Sequence, residues 1–436
     1  MKISIKNYLL YDNKVNLFFV AFWVFVFRIT MDLAYVYVIY PNFKYYGFGC
    51  DFDFFRFILS WVLTVPFIFL LKKLYKREKL SDAIISVITI FAFIPCMSLY
   101  TYMKTPFIIL LIVYYMVFFL AAYFIPVFSI PKISIKNKDK ILYIISISLI
   151  LLTVFIWAFY AKFHLQLSLF DVYETRLEAR EYNIPVIFNY IRAMSRKVIP
   201  VLALYMLHTK KTGLFIALCV AQYLNFCIDA SKSVLFSLVL GIAGYIIYSR
   251  FNKVTKYIPA AYSGFNIVGI LSYLLFNFSG LINKFTRRLS YLPSLLNYFY
   301  YDYCKDFNPN FFAQGFLSIL GVKSQFPTDI ALIIGDKYFS DPATNANNGL
   351  FSDAYVNLGF AGMLLMPVLL VLALRFLDAC AEGIPKRVLI VCLFDFSFAF
   401  IGSMFFTVML THGFAATCIL LLFIPKEHEE KGHSLF

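Results

Sequence analysis

The feature that most constrains this chain is a series of apolar stretches, each about long enough to cross a bilayer as a helix. They run over 15–40, 54–71, 83–100, 107–126, 141–160, 186–207, 213–229, 233–249, 257–278, 351–374, 388–406 and 408–424. At 1.5 Å per residue, roughly 20 apolar residues match the hydrocarbon thickness. Composition points the same way. Of 436 residues, 61% are hydrophobic and only 14% charged, with mean hydropathy +0.78. Soluble domains average about 45–50% apolar and about 25% charged. A chain with this excess cannot cover its own surface in water. The expected fold is therefore an all-α polytopic membrane protein with about 12 transmembrane helices, one integral domain over 1–436. Lys2, Lys6 and Lys14 precede the first stretch as in a secretory leader. That stretch exceeds a leader's apolar core and no small-x-small site follows it, so it reads as a retained span.

Charge sets the expected orientation. The formal net charge is +15, and the connectors after even-numbered stretches are basic: 72–79, 131–140, 208–211, 249–256 and 375–387. With both tails they hold 22 of the 39 Lys and Arg. By the positive-inside rule this face and both termini are cytoplasmic. The positive charge thus needs no nucleic acid to explain it. The eight cysteines form no disulfide framework, since only Cys50 and Cys304 fall in outward loops. No Cys/His cluster has zinc spacing, so no metal is expected. No P-loop, dinucleotide fingerprint or internal repeat occurs, so no cofactor is expected either.

Two outward segments, 161–197 and 279–350, are too long to be turns, and long loops on rigid scaffolds usually carry function. The first contains LSLFDVYETRLEAREYNIP (167–185), with helical spacing that Pro185 breaks. On a helical wheel Arg176 and Arg180 coincide, opposite Asp171, Glu174, Glu178 and Glu181. No acid lies three or four residues from either arginine, so the stripe meets an external anion or faces water. Arg192 and Arg196 repeat the spacing beyond Pro185, with Lys197 adjacent. Guanidinium forks match phosphate oxygens, and they equally suit snorkelling to the headgroup level.

The second segment opens with Arg287 and Arg288, then an aromatic run from Tyr298 to Tyr303 interrupted by Asp302. Tyr300 and Tyr301 suit sugar rings and suit a membrane interface equally well. A plain aromatic belt needs no carboxylate, which singles out Asp302. The segment ends with Asn345, Asn347, Asn348 and Gly349 before Asp353. These amides fit glycan binding or an ordinary turn, and Asp353 fits a base or a helix-start acid.

Thr344-Asn345-Ala346-Asn347 followed by Gly349, Asp353, Tyr355, Asn357, Gly359 and Gly362 resembles the loop-to-span signature of Wzy-type polysaccharide repeat-unit polymerases. Val172-Tyr173-Glu174-Thr175-Arg176, Ser231-Lys232-Ser233, Arg288 and Tyr301-Asp302 are similar to stretches of the same family. The matches run in order through about the second half of the chain; the first 160 residues resemble the family in topology alone. The family often has Glu where Asp353 stands.

The resemblance implies a glycosyltransferase that joins polyprenyl-diphosphate-linked oligosaccharide repeat units into an O-antigen (lipopolysaccharide) or capsule-like polysaccharide outside the membrane. Membrane lipids and a chain-length regulator are the further partners it implies. The departing diphosphate needs cations, for which Arg176, Arg180, Arg192, Arg196, Lys232, Arg287 and Arg288 are the candidates. The acceptor hydroxyl needs a base, for which Asp302, Asp353 and Glu174 are the candidates. Tyr300, Tyr301, Asn345 and Asn348 are the candidate glycan contacts. A lipid-linked oligosaccharide flippase is the rival from another class, but it predicts short loops throughout. An O-antigen ligase shares the donor, but it relies on a histidine in the large outward loop, and 279–350 contains none.

Weaker features are Asp51 and Asp53, either metal-binding acids or a polar loop, and Arg28 with Asp32, an i,i+4 pair inside the first stretch. His164 and His412 are further candidate bases near the outer surface. The charge pattern makes a direct prediction: reporters fused after Lys79, Lys140 and Lys256 read cytoplasmic, and fusions near Glu178 and Pro327 read external. A cytoplasmic reading at Pro327 overturns the orientation.

Overall fold

The computed structural model describes residues 15–130, 136–166, 173–248 and 253–426. It is 78% helix, with no strand among the described residues. All twelve apolar stretches are helical. Eight helices are long and apolar enough to cross a membrane: Leu17–Tyr46, Phe54–Arg77, Leu80–Tyr102, Lys138–Phe159, Thr212–Asp229, Val254–Phe276, Phe351–Ala381 and Phe405–Phe423. The other four fall short for physical reasons. Ile108–Phe124, Lys232–Tyr248 and Lys386–Gly402 have 17 residues each, or about 26 Å of helix. Val186–His208 is longer but carries Arg192, Arg196 and Lys197. The chain divides into two compact units interleaved in sequence, where its pattern suggests one domain. The first is Met1–Pro126, Lys253–Leu374 and Ser397–Phe406; the second is Val127–Asn252, Arg375–Phe396 and Thr407–Phe436.

In the first unit, Asn16 and Asp53 cap their helices by accepting hydrogen bonds from the Phe18 and Arg56 amides. The helix of Leu80–Tyr102 is the most enclosed, 94% buried over its apolar window. Three π-helical segments occur here: Tyr35–Ile39, Thr89–Phe93 and Ile282–Tyr291. Each stops two residues before a proline, namely Pro41, Pro95 and Pro293. Proline has no N–H to donate and its ring crowds the preceding turn, so the ladder slips to wider spacing ahead of it.

The pair expected from sequence, Arg28 with Asp32, forms at the centre of this unit. Arg28 is fully buried and its Nε donates to Asp32 at 3.0 Å. Its Nη2 donates to the Ser60 hydroxyl, the Met97 carbonyl and the Thr101 hydroxyl at 3.0–3.2 Å. Asp32 also accepts from the Ser98 hydroxyl, which lies 2.7 Å from the Tyr291 hydroxyl. One guanidinium thus joins the helices containing residues 28, 60 and 97 and, through Ser98, the π-helical segment at 291. Removing one member of such a pair costs about 3–5 kcal/mol, because the other charge stays buried.

The stretch read as a single span over 351–374 is in fact broken. Gly359 sits at φ 55°, ψ −133° inside the helix Phe351–Ala381. A β-carbon on Gly362 would lie 2.1 Å from the Ala354 carbonyl oxygen, two residues that a straight helix holds about 12 Å apart. The chain therefore folds back at Gly359, leaving a short helix over 351–358 ahead of the longer one. The break frees backbone carbonyls, and a neighbouring loop takes them. The Asn310 amide donates to the Val356 carbonyl (2.9 Å) and the Phe311 amide to the Asn357 carbonyl (3.0 Å). The last apolar stretch is also interrupted, with Phe405–Leu410 and Phe414–Phe423 meeting at Gly413, φ 76°.

In the second unit, Ile156, Ala161, Ile184 and Ile228 form a buried cluster, with Phe226, Cys227 and Ala230 in another. Gly244 allows the helix Lys232–Tyr248 to approach Ile390 closely: a β-carbon there would meet the Ile390 side chain at 2.5 Å. Small residues serve this purpose where apolar solvent gives helices no hydrophobic drive to associate. Gln222, fully buried, donates to the Arg196 and Val234 carbonyls, both at 3.0 Å.

The fold-back generates a stability prediction. Gly359→Ala places a β-carbon in a conformation essentially reserved for glycine, costing about 1–3 kcal/mol. Gly264→Ala, with nothing within 4 Å, serves as the control. Thermal melting of the purified protein in detergent should show a lower Tm for Gly359→Ala alone. Equal melting of both variants overturns the fold-back.

Candidate functional site

In the second unit the sequence's basic residues come together. The turn 229–231 separates the helices Thr212–Asp229 and Lys232–Tyr248, with Ala230 left-handed at φ 49°. Arg192 and Arg196, one turn apart on Val186–His208, both donate to Asp229 Oδ2. The first does so from Nη1 at 3.4 Å and the second from Nη2 in a closer contact. Asp229 Oδ1 accepts from the Ser231 amide at 3.2 Å. The helix Tyr173–Glu181 brings in Arg176, whose Nη2 donates to the Ala230 carbonyl at 3.3 Å. Lys232 opens the next helix. Arg176, Arg192 and Arg196 therefore converge on residues 229–231, immediately ahead of Lys232, and among the described residues two of these guanidiniums share the Asp229 carboxylate. The Nε atoms of Arg192 and Arg196 are buried with no hydrogen-bond partner.

Other groups of this unit are engaged elsewhere. Lys197 Nζ donates to Asp395 Oδ1 at 2.8 Å, and the Ser237 hydroxyl donates to Asp395 Oδ2 at 2.7 Å. His164 Nε2 lies 3.4 Å from both Gln166 Oε1 and Thr175 Oγ1, and this contact braces the start of the helix Tyr173–Glu181. His412 precedes Gly413, which packs on Met194 and Lys197. The side chains of Glu174 and Arg180 lie outside the described residues, as does Asp171. Sequence reasoning missed Asp229 and Asp395. A signal existed, because each is a lone acid in an apolar stretch, where a charge needs a partner or a role.

The remaining candidates belong to the first unit. Tyr300 is fully buried and its hydroxyl donates to the Ala346 carbonyl at 3.1 Å. Asn348 is also buried, its Nδ2 within 2.8–3.0 Å of the Pro293 carbonyl, Asn297 Oδ1 and Ser352 Oγ. Both clasp the 340–350 loop onto the helix Leu292–Cys304. The side chains of both are buried, where the sequence reading expects glycan contacts to be open. Tyr301 packs between Phe107 and Tyr355, with ring centroids at 4.8 and 5.3 Å. Asn345 is exposed. Arg287 is buried, its Nε donating to Asn283 Oδ1 at 2.7 Å, and its guanidinium lies 4.6 and 4.8 Å from the rings of Phe43 and Tyr46. Arg288 is exposed. Asp51 and Asp53 both pair with Arg56, at 3.3 and 3.7 Å, which accounts for them structurally.

The two candidate bases of this unit differ in setting. Asp302 accepts from Lys305 Nζ at 2.8 Å and the Tyr338 hydroxyl at 2.6 Å. The Lys305 and Tyr338 hydrogen bonds hold its carboxyl below the usual carboxylate range. A group that prefers its charged form is a weak proton acceptor near neutral pH. Asp353 is 1% exposed and accepts from Asn357 Nδ2 (2.8 Å) and the Phe405 amide (2.7 Å). It ties the short 351–358 helix to the start of Phe405–Leu410. The adjoining cavity, lined by Tyr114, Asp353, Ser403 and Phe405 among others, is about 10 Å³, room for about one water and not for a sugar.

Compared with protein-family models, with curated proteins and with solved structures, the chain gives no match.

Asp353 and Asp302 should therefore separate in stability. Asp353→Asn turns one acceptor into a donor facing the Asn357 amide or the Phe405 N–H, and a buried unsatisfied group costs about 1–3 kcal/mol. Asp302→Asn removes an exposed pair, so its loss of Tm at neutral pH should be small and well below that of Asp353→Asn. Because its folded-state value is lowered, whatever Asp302 contributes exists above about pH 4, the unfolded carboxylate value, and fades as pH falls through the folded one. Melting curves of both variants across pH 3–7 test this. A larger loss for Asp302→Asn than for Asp353→Asn contradicts it.

Proposed function

We propose that this chain is a membrane glycosyltransferase that joins oligosaccharide repeat units carried on polyprenyl diphosphate into a longer polysaccharide. The observation that carries the reading is the convergence of Arg176, Arg192 and Arg196 on one turn. Among the described residues two guanidiniums share one carboxylate and a third lies on the adjoining carbonyl, an arrangement suited to a multiply charged anion. The loop signature at residues 344–362 supplies the family expectation.

In the proposed reaction the bond between the donor sugar's anomeric carbon and a diphosphate oxygen breaks. The acceptor's hydroxyl oxygen forms the new bond to that carbon. The electron pair leaves on the diphosphate, whose developing charge the guanidiniums stabilise, and the hydroxyl proton passes to a carboxylate. The sugar–diphosphate bond supplies the driving force, so no nucleotide is consumed. Of the candidate bases, Asp302 is held in its charged form and Asp353 is enclosed. Glu174 is carried on the helix that delivers Arg176, and it takes the role in this proposal. Membrane lipids surround the enzyme, and a chain-length regulator is its proposed protein partner.

Arg176→Ala is the folding-safe test, because Arg176 is exposed and bonds one carbonyl. Losing one donor to a developing oxyanion costs about 10²–10³ in rate. The polysaccharide ladder should collapse toward single repeat units in cells carrying Arg176→Ala or Arg192→Ala, with membrane protein abundance unchanged. A full ladder in the double variant sinks the reading. Deletion should leave single capped repeat units; loss of all surface glycan would indicate a flippase, and unligated polymer a ligase.

A further inference from the structure

We propose that Asp229 is an internal stand-in for the ligand's phosphate, which keeps the cationic turn closed to monoanionic phospholipid and is displaced when a diphosphate binds. This rests on the diphosphate reading above. One carboxylate oxygen, Asp229 Oδ2, is shared by Arg192 Nη1 and Arg196 Nη2, while Oδ1 is held by the Ser231 amide. An oxygen bridging two guanidiniums, with a backbone N–H on its partner oxygen, is the contact pattern a phosphate group makes.

The fit is incomplete in a telling way. A guanidinium offers a planar fork, and a well-matched anion takes two of its N–H groups at once. Here the Nε–H of Arg192 and of Arg196 are both buried with no partner, so each fork is half used. A carboxylate has two oxygens, and one is committed to its own turn. A diphosphate offers more oxygens and more charge to the same forks, and it also meets Arg176, which among the described residues donates to the Ala230 carbonyl.

Displacement sets a threshold. Any incoming anion must first replace the hydrogen bonds of Asp229 to Arg192 and Arg196. A phosphodiester headgroup brings one negative charge, which merely exchanges one unit charge for another. A diphosphate brings more charge and recovers the loss. The distinction matters because anionic phospholipids surround any such site in a membrane. An open cluster of arginines would hold them, so the internal carboxylate acts as the element that disfavours the wrong ligand.

The test uses the full chain in detergent, with inorganic pyrophosphate as the probe in calorimetric titration. Neutralising an internal competitor tightens binding, whereas neutralising a mere strut loosens it. Asp229→Asn, which removes the competing charge, should bind pyrophosphate about tenfold tighter or more. Asp229→Ser should shift the same way, which covers a failure of the first variant to fold. Asp229→Glu, keeping the charge, should remain near the wild type. Mass spectrometry after adding phosphatidylglycerol should find the lipid retained on Asp229→Asn and not on the wild type. Weaker or unchanged pyrophosphate binding in the neutral variants overturns the proposal while leaving the diphosphate reading intact. No pyrophosphate binding by any of the four proteins overturns both.

Discussion

Inside hydrocarbon a backbone amide or carbonyl has no water to turn to, and every other feature of this fold answers to that requirement. It makes the described chain helical, and it dictates what happens wherever the helical ladder fails. Ahead of Pro41, Pro95 and Pro293 the ladder widens into π-helical segments rather than leaving carbonyls bare. At Gly359 the helix folds back, and the Asn310 and Phe311 amides cover the carbonyls of Val356 and Asn357. The loop around residue 310 is therefore part of the helix break. The same demand explains why the Tyr300 hydroxyl is spent on the Ala346 carbonyl and the Asn348 Nδ2 on Pro293, Asn297 and Ser352.

Charge obeys a parallel rule, and the proposed site departs from it. Arg28 pairs with Asp32, Arg77 with Asp82 and Lys197 with Asp395, each with further hydrogen bonds in support. Such balanced pairs specify packing and leave little field for a ligand. At residues 229–231, among the described residues, two arginines share one aspartate and a third rests on the neighbouring carbonyl. An uneven cluster is a poor structural device, since the surplus cations repel one another. It becomes sensible once a multiply charged anion completes it, and glycosyl transfer from a lipid diphosphate provides one.

Much was legible in the sequence because its signals are local. Apolar length alone placed a helix on every one of the twelve stretches. The i,i+4 spacing of Arg28 and Asp32 fixed their pairing, and the 3.6-residue period placed a helix ahead of Pro185, seen at Tyr173–Glu181. The arginine spacings at 176 and at 192–196 pointed to an anion site, but the acid that meets them lies 33 or more residues further along. No window of periodicity reaches that far.

The sequence by itself determined solvent, secondary structure and the places where charge is scarce enough to matter, because each follows from composition over a single helix length. Only the tertiary structure decided which charges meet. It assigned Asp229 to Arg192 and Arg196, Asp395 to Lys197, and Phe405 to Asp353. It also turned an apparent single span into a fold-back, since a glycine at φ 55° is indistinguishable in sequence from one that merely packs. The reason is the same throughout. Partners in a helical membrane protein are chosen by which faces pack, and packing is settled by long-range contacts that leave no periodic trace in the chain.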